Sequence, residues 1–236
     1  MTSISVVIPT LREEERIGTL LRALQAQEYS GTIEIVVVDG NSEDGTQDVV
    51  RDFAGVRLLN VERGTSRQRN AGAQQADGEL LLFMDADCVP APTFIANVVR
   101  SYNRWPFAVA CPWFVACESP AIRAVYFVFN LLFLLGQGWL RTGSGVCIIT
   151  PRRVFHQVGG FDESLHLAED IQYIRRAARC GWHRHLLVPL QTSGRRFQQK
   201  GVWNLVKFYA RITPPLLLGR FEALKKVSYE AAPYSD

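Results

Sequence analysis

The chain has 236 residues, enough for one large domain or two small ones, and 47% hydrophobic against 21% charged residues is the composition of a globular protein able to bury a core. A net charge of only +3 gives no reason to expect a nucleic-acid partner. The five cysteines (Cys88, Cys111, Cys117, Cys147, Cys180) are odd in number and never spaced CxxC, which argues against a disulfide framework or a zinc site and for a reducing cytosol.

In chain order, ISVVIP is too short for a secretory signal core and runs straight into the charged LREEER, so no signal is expected. Short β-branched runs then alternate with helical patterns: ISVVIP with EEERIGTLLRAL, IEIVVVD with TQDVVRDF, VRLLNV with SRQRNAGAQQA, and ELLLFMD with TFIANVVRSY. This alternation predicts an α/β fold with a mostly parallel, Rossmann-like central sheet and helices on both faces. Thr10 to Glu13 reads as a capping box, followed by Ile17, Leu20, Leu21 and Leu24 on one helix face. Beyond residue 105 the pattern predicts a strand at 107–117, an apolar helix near 121–140, a strand at GVCIIT and a helix through EDIQYIRRAARC. No repeat, low-complexity stretch or linker interrupts the chain, so a single domain is expected.

Ligands of open parallel sheets bind at the carboxyl ends of the strands. Those ends carry Pro9-Thr10, Asp39-Gly40, Glu62-Arg63 and Asp85-Ala86-Asp87, which should line one crevice. In extended backbone Asp85 and Asp87 would share a side with Cα atoms roughly 6–7 Å apart. A divalent cation relieves the repulsion of two such carboxylates, and oxygen-only ligation suits Mg²⁺ or Mn²⁺ completed by phosphate oxygens. The tripeptide alone fits two solvated acids at a strand end equally well.

Four stretches, PTLREEERIGTLLRAL, VVVDGNSEDGT, RGTSRQRNAGAQQADGELLLFMDADC and AEDIQYIRRAARCGW, resemble in order and spacing the inverting family 2 glycosyltransferases of the GT-A fold, over about residues 3–190. The resemblance implies a nucleoside-diphosphate sugar as donor and an acceptor hydroxyl as second substrate. It implies that Asp39 binds base or ribose, that Asp85 and Asp87 hold metal and diphosphate, and that Asp170 is the general base with Glu169 in support, although two acids opening a helical pattern also suit the helix dipole on their own. Pro9, Thr10, Glu13 and Ala86 fall around the nucleotide in the same pattern, and Arg63, Gly64, Arg67 and Asn70 stand where relatives order the loop near it, although a basic turn and a solvated helix face account for these four as well. The chain then divides into a nucleotide-binding half (1–105), an acceptor-binding half (106–195) and a basic, amphipathic tail (196–236). Such chemistry needs a base for the acceptor proton and a counter-charge for the departing diphosphate, with an oxocarbenium-like transition state and no covalent enzyme intermediate.

The match departs from the family in two places. Ile171 and Gln172 stand where many relatives carry a further acid, and VPLQTSGRRF lacks the histidine that completes many metal sites. Arg195 and Arg196 are the nearest substitutes and could fork onto a diphosphate. His183 and His185 share a strand face and read as surface residues. Gly143, Ser144 and Gly145 suit either a close approach to sugar or acceptor or a tight turn. Trp113 and Phe114 lead toward the acceptor side, with core packing as the default.

The apolar run AVYFVFNLLFLL and the tail from Arg195 to Lys226, with eight Lys or Arg against Glu222 alone, suggest reversible contact with the cytosolic membrane face and a lipid-linked acceptor. Packing onto the domain or a homodimer contact would serve both segments equally. Haloacid-dehalogenase-like phosphatases also end a strand in DxD, but on the first strand. A sugar nucleotidyltransferase would need a glycine-rich basic loop where PTLREEER is acidic, and a degenerate scaffold would have lost DxD or ED.

Overall fold

The structure is a computed structural model that describes residues 1–116, 120–165, 167–193 and 221. The first half follows the expected alternation: β1 (Ile4–Thr10), α1 (Glu14–Gln25), β2 (Ile33–Asp39), α2 (Thr46–Arg51), β3 (Val56–Asn60), α3 (Thr65–Gln75) and β4 (Leu80–Met84). A two-residue strand β5 (Val89–Pro90) and α4 (Phe94–Arg104) follow. The second half contains β6 (Val109–Ala116), α5 (Pro120–Gly136), β7 (Cys147–Pro151), α6 (Arg152–Val158), α7 (Glu169–Ala177) and β8 (His183–Thr192).

Among the described residues the strands form one eight-stranded sheet in the order β3-β2-β1-β4-β7-β6-β8-β5. β1 to β4 are parallel, whereas β7 runs antiparallel between β4 and β6. Every residue of β4 and β7 is buried, as strands covered on both faces must be. Chain order reverses across β1, whose neighbours are β2 and β4, and that is where open α/β sheets part to admit a ligand.

Helix α3 fixes what enters that gap. A Cβ on Gly72 would lie 2.4 Å from Val7 Cγ1 and 2.9 Å from Val38 Cγ2, so only glycine lets α3 press onto β1 and β2. Ser66, Arg69, Gly72 and Ala73 form its buried stripe, which carries Arg69 down to the strand ends. Gln68 Nε2 donates to Thr10 O (2.7 Å) and Val38 O (2.8 Å), tying the tips of β1 and β2 together.

Three local expectations are corrected. The capping box does not form: α1 begins at Glu14 without a side-chain cap, and the Thr10 hydroxyl donates instead to Asp39 Oδ2 at 3.0 Å. His183 and His185 do share a face, but it is buried, because α5 covers β6 and β8. Asn130 of α5 is why this fits: its amide donates to Phe114 O (2.7 Å) while its Oδ1 accepts from Phe114 N (2.9 Å) and faces His185 Nε2 (3.0 Å). Burial, then the neighbouring His183, pushes His185 down to about 4, so it is neutral at ordinary pH. Finally, Asp85 and Asp87 are not in extended backbone. The chain turns between them, with Cys88 N donating to Asp85 O at 3.2 Å.

The described cysteines are free, and burial raises the Cys88, Cys111 and Cys147 thiols. The tail from Arg195 lies outside the described residues, Phe221 excepted. No described helix is long and apolar enough to cross a membrane.

Candidate active site

A cavity of about 440 Å³ opens where β1 and β4 part, within the range of small-molecule sites. It brings together Pro9, Thr10 and Glu13 from the first strand-to-helix junction, Arg63 and Arg67 around the start of α3, Asp85, Ala86 and Asp87 after β4, and Glu169 from α7. Glu163 and Leu165 also line it and had not been expected. Asn70, Asp39 and Asp170 do not line it, and Arg195 and Arg196 fall outside the described residues.

Asp39 is fully buried, its carboxylate taking hydrogen bonds from Thr10 Oγ1, Ser42 N, Ser42 Oγ and Gln47 Nε2 between 2.6 and 3.0 Å. It therefore orders the turn at residues 40–47 and the tip of β1. Asn70 clasps the loop after α6: Nδ2 donates to Phe161 O and Glu163 Oε1, both at 2.9 Å, and Oδ1 accepts from Phe161 N at 2.8 Å. Arg67 is paired with Glu62 and, at 3.4 Å, with Glu163. These contacts anchor the cavity wall that carries Glu163 and Leu165.

The residue missed from the sequence is Arg69. Its side chain is 2% exposed, yet its guanidinium reaches Asp85 Oδ1 (3.1 Å), Glu169 Oε1 (3.4 Å) and Gly145 O (2.8 Å) and lies 5.3 Å over the Phe161 ring. Burial works against its charge, but Asp85, Glu169 and Asp170 outweigh that and hold its pKa above the ordinary arginine value. One buried cation thus joins the turn after β4 to the first turn of α7. A signal existed: an arginine sits on the small-residue stripe that α3 turns to the sheet, where only a paired charge survives.

Glu169 and Asp170 open α7 directly after Ala168, a non-glycine residue held at φ 61°. Such backbone is uncommon and costs of order 1 kcal/mol, and here it aims the first turn of α7 at the cavity. A Cβ on Gly145 would lie 2.7 Å from Asp170 Oδ2, and one on Gly143 2.6 Å from Cys111 Sγ. Neither glycine has positive φ, so the GSG segment owes its glycines to close packing and not to a turn. The segment lands beside the DAD turn because β7 pairs antiparallel with β4, with Asp85 N donating to Val146 O at 2.9 Å.

Burial, then the adjacent Asp170 charge, pushes Glu169 up to about 7 against the opposing pull of Arg69. Below about pH 4.5 the carboxyl is protonated whether folded or unfolded and costs nothing. Between 4.5 and 7 the unfolded chain ionises first, so stability falls as pH rises, and above 7 the penalty is full. Glu169→Gln is therefore expected to raise stability at pH 8 by about 1–3 kcal/mol and leave it unchanged near pH 4. Urea melts at the two pH values check this, and equal midpoints at pH 8 would contradict it.

The ligand-holding chemistry of Asp85 and Asp87 is oxygen only, with Asp85 23% exposed to the cavity. No group of three or more His, Cys, Asp or Glu that could form a metal cage exists among the described residues. Two carboxylates without a cage fit Mg²⁺ or Mn²⁺, which keep water and phosphate oxygens as remaining ligands.

Residues 5–159 match the family model for glycosyl transferase family 2. Glycosyltransferase AglE of Haloferax volcanii is 35% identical over 107 residues, covering 42% of this chain and 35% of that protein. The glucosyl-dolichyl phosphate glucuronosyltransferase of the same organism is 32% identical over 174 residues, covering 67% and 56%. The chain thus spans between a third and somewhat over half the length of these curated relatives. A mannosyltransferase from Pyrobaculum calidifontis, solved with GDP-Man and Mn²⁺, superposes with TM-score 0.69 over 93% of this chain and 69% of that one at 22% identity, a likeness of fold. The fold is the GT-A fold, and with its first 159 residues matched almost throughout, the chain belongs to glycosyl transferase family 2.

Proposed function

We propose that the protein is an inverting, divalent-metal-dependent glycosyltransferase that moves a sugar from a nucleoside-diphosphate sugar to an acceptor hydroxyl. The observation that carries this is the gathering of the DAD turn, the tip of β1 and Glu169 of α7 around one cavity, the DAD turn and α7 being joined by Arg69. The Mn²⁺ and GDP-Man of the mannosyltransferase support the choice of donor and metal, and the dolichyl phosphate in a relative's name supports a lipid-linked acceptor.

Asp85 and Asp87 would hold Mg²⁺ or Mn²⁺, whose chemistry when bound is to offset the charge of the departing diphosphate. Arg63 and Arg67 add cationic surface to the same wall. Asp39, through Thr10, Ser42 and Gln47, orders the end of the cavity assigned to ribose and base. Asp170 takes the acceptor hydroxyl proton as that oxygen bonds to the anomeric carbon. The bond from that carbon to the phosphate oxygen breaks, and its electron pair leaves with the nucleoside diphosphate. A single displacement inverts the anomeric centre. Glu169, 17% exposed, is ion-paired to Arg69, whereas Asp170 has no ion pair among the described residues.

The test is a melting-temperature screen of UDP, GDP and dTDP with Mn²⁺. At about a hundredfold excess over Kd, one should raise Tm by roughly 5 °C or more. No shift with any of the three would sink the donor assignment.

A further inference from the structure

Among the described residues, helix α5 leaves one long side uncovered. Phe127, Val128, Leu131, Leu132, Leu135 and, just beyond the helix, Trp139 are exposed, with Leu135 at 71% and Trp139 at 79%. They recur at i, i+1, i+4, i+5, i+8 and i+12, one continuous stripe opposite the side that seats Asn130 on β6. A monomer in water rarely shows such a stripe without a use for it. At about 25 Å for 17 residues the helix is too short to span a bilayer, but its length suits lying along one.

Charge decides the occupant. From Pro120 to Arg141 there is no acid, and exposed Arg123 stands at the start of the stripe. At its other end Trp139, Leu140, Arg141, Arg175 and Arg179 line a shallow depression of about 350 Å³, where the Arg175 guanidinium lies 5.5 Å over the Phe221 ring. A second copy paired two-fold along this helix would set arginine against arginine at the ends in either orientation. An anionic surface meets the same cations with opposite charge, and Trp139 beside them suits the boundary between headgroups and acyl chains.

We propose that the exposed side of α5, with the arginine-lined depression at its end, docks on an anionic phospholipid bilayer, the depression receiving a lipid phosphate. This docking stands apart from the glycosyl-transfer reading, and the two fail in different experiments. The test is co-sedimentation of the full chain at low salt with vesicles of phosphatidylcholine alone and with about a third phosphatidylglycerol. The wild-type chain is expected to pellet with the anionic vesicles. Leu132→Glu/Leu135→Glu should lower the bound fraction about tenfold and Arg141→Gln/Arg179→Gln several-fold, all without loss of Tm because these four side chains are largely solvent-facing. Failure of the wild-type chain to bind overturns the proposal. So does undiminished binding of the Leu132→Glu/Leu135→Glu chain, which would move the contact to another part of the protein. A wild-type dimer that this variant converts to monomers overturns it as well, by giving the stripe to a second copy.

Discussion

Arg69→Ala should cost about 3–5 kcal/mol of folding stability, because it leaves the Asp85 and Glu169 carboxylates facing each other without their shared, 2%-exposed cation. That is a large part of the 5–15 kcal/mol holding an ordinary domain together, so the variant is expected to be partly unfolded at 37 °C. The loss has three sources: the two ion pairs, the bond to Gly145 O, and the contact with the Phe161 ring. Arg69→Lys retains the charge but not the fork and should recover only part of the stability. Chemical denaturation of the three chains measures this. A cost below about 1 kcal/mol for Arg69→Ala would mean that the site does not depend on its central cation.

Asp170→Asn should lower turnover by about 10² or more, the usual scale of a lost general base, while nucleotide affinity changes little. The separation is expected because Asp170 does not line the cavity that would hold the nucleotide, whereas its neighbour Glu169 does. Asparagine is close in shape, so the Gly145 segment packed against Oδ2 should stay in place. Steady-state kinetics with calorimetric Kd values make the comparison. If Asp170→Asn keeps full activity and Glu169→Gln loses it, the base is Glu169.

The parallel half of the fold was legible because each strand–helix unit is written locally, in β-branched runs followed by a helical period. The same reading put Asp85 and Asp87 at a strand end, and they do line the cavity. What failed depends on partners distant in sequence. Thr10 has the spacing of a helix cap, but Asp39, 29 residues on, takes its hydroxyl. His183 and His185 look like the outer face of an edge strand until α5 is laid over them with Asn130 and Gln137 as polar partners. Arg69 sits in a basic, polar stretch that reads as a solvated helix, and only the small residues at Ser66, Gly72 and Ala73 betray that its side is turned inward.

In the proposed reaction Asp85 and Asp87 would serve a metal shared with a nucleoside diphosphate. Calorimetric titration of the nucleotide identified by melting, into wild type and Asp87→Ala, with and without Mn²⁺, tests it most directly. Wild-type affinity should improve about tenfold or more with Mn²⁺, and Asp87→Ala should bind weakly with no improvement from Mn²⁺. Tight, Mn²⁺-responsive binding by Asp87→Ala would contradict it.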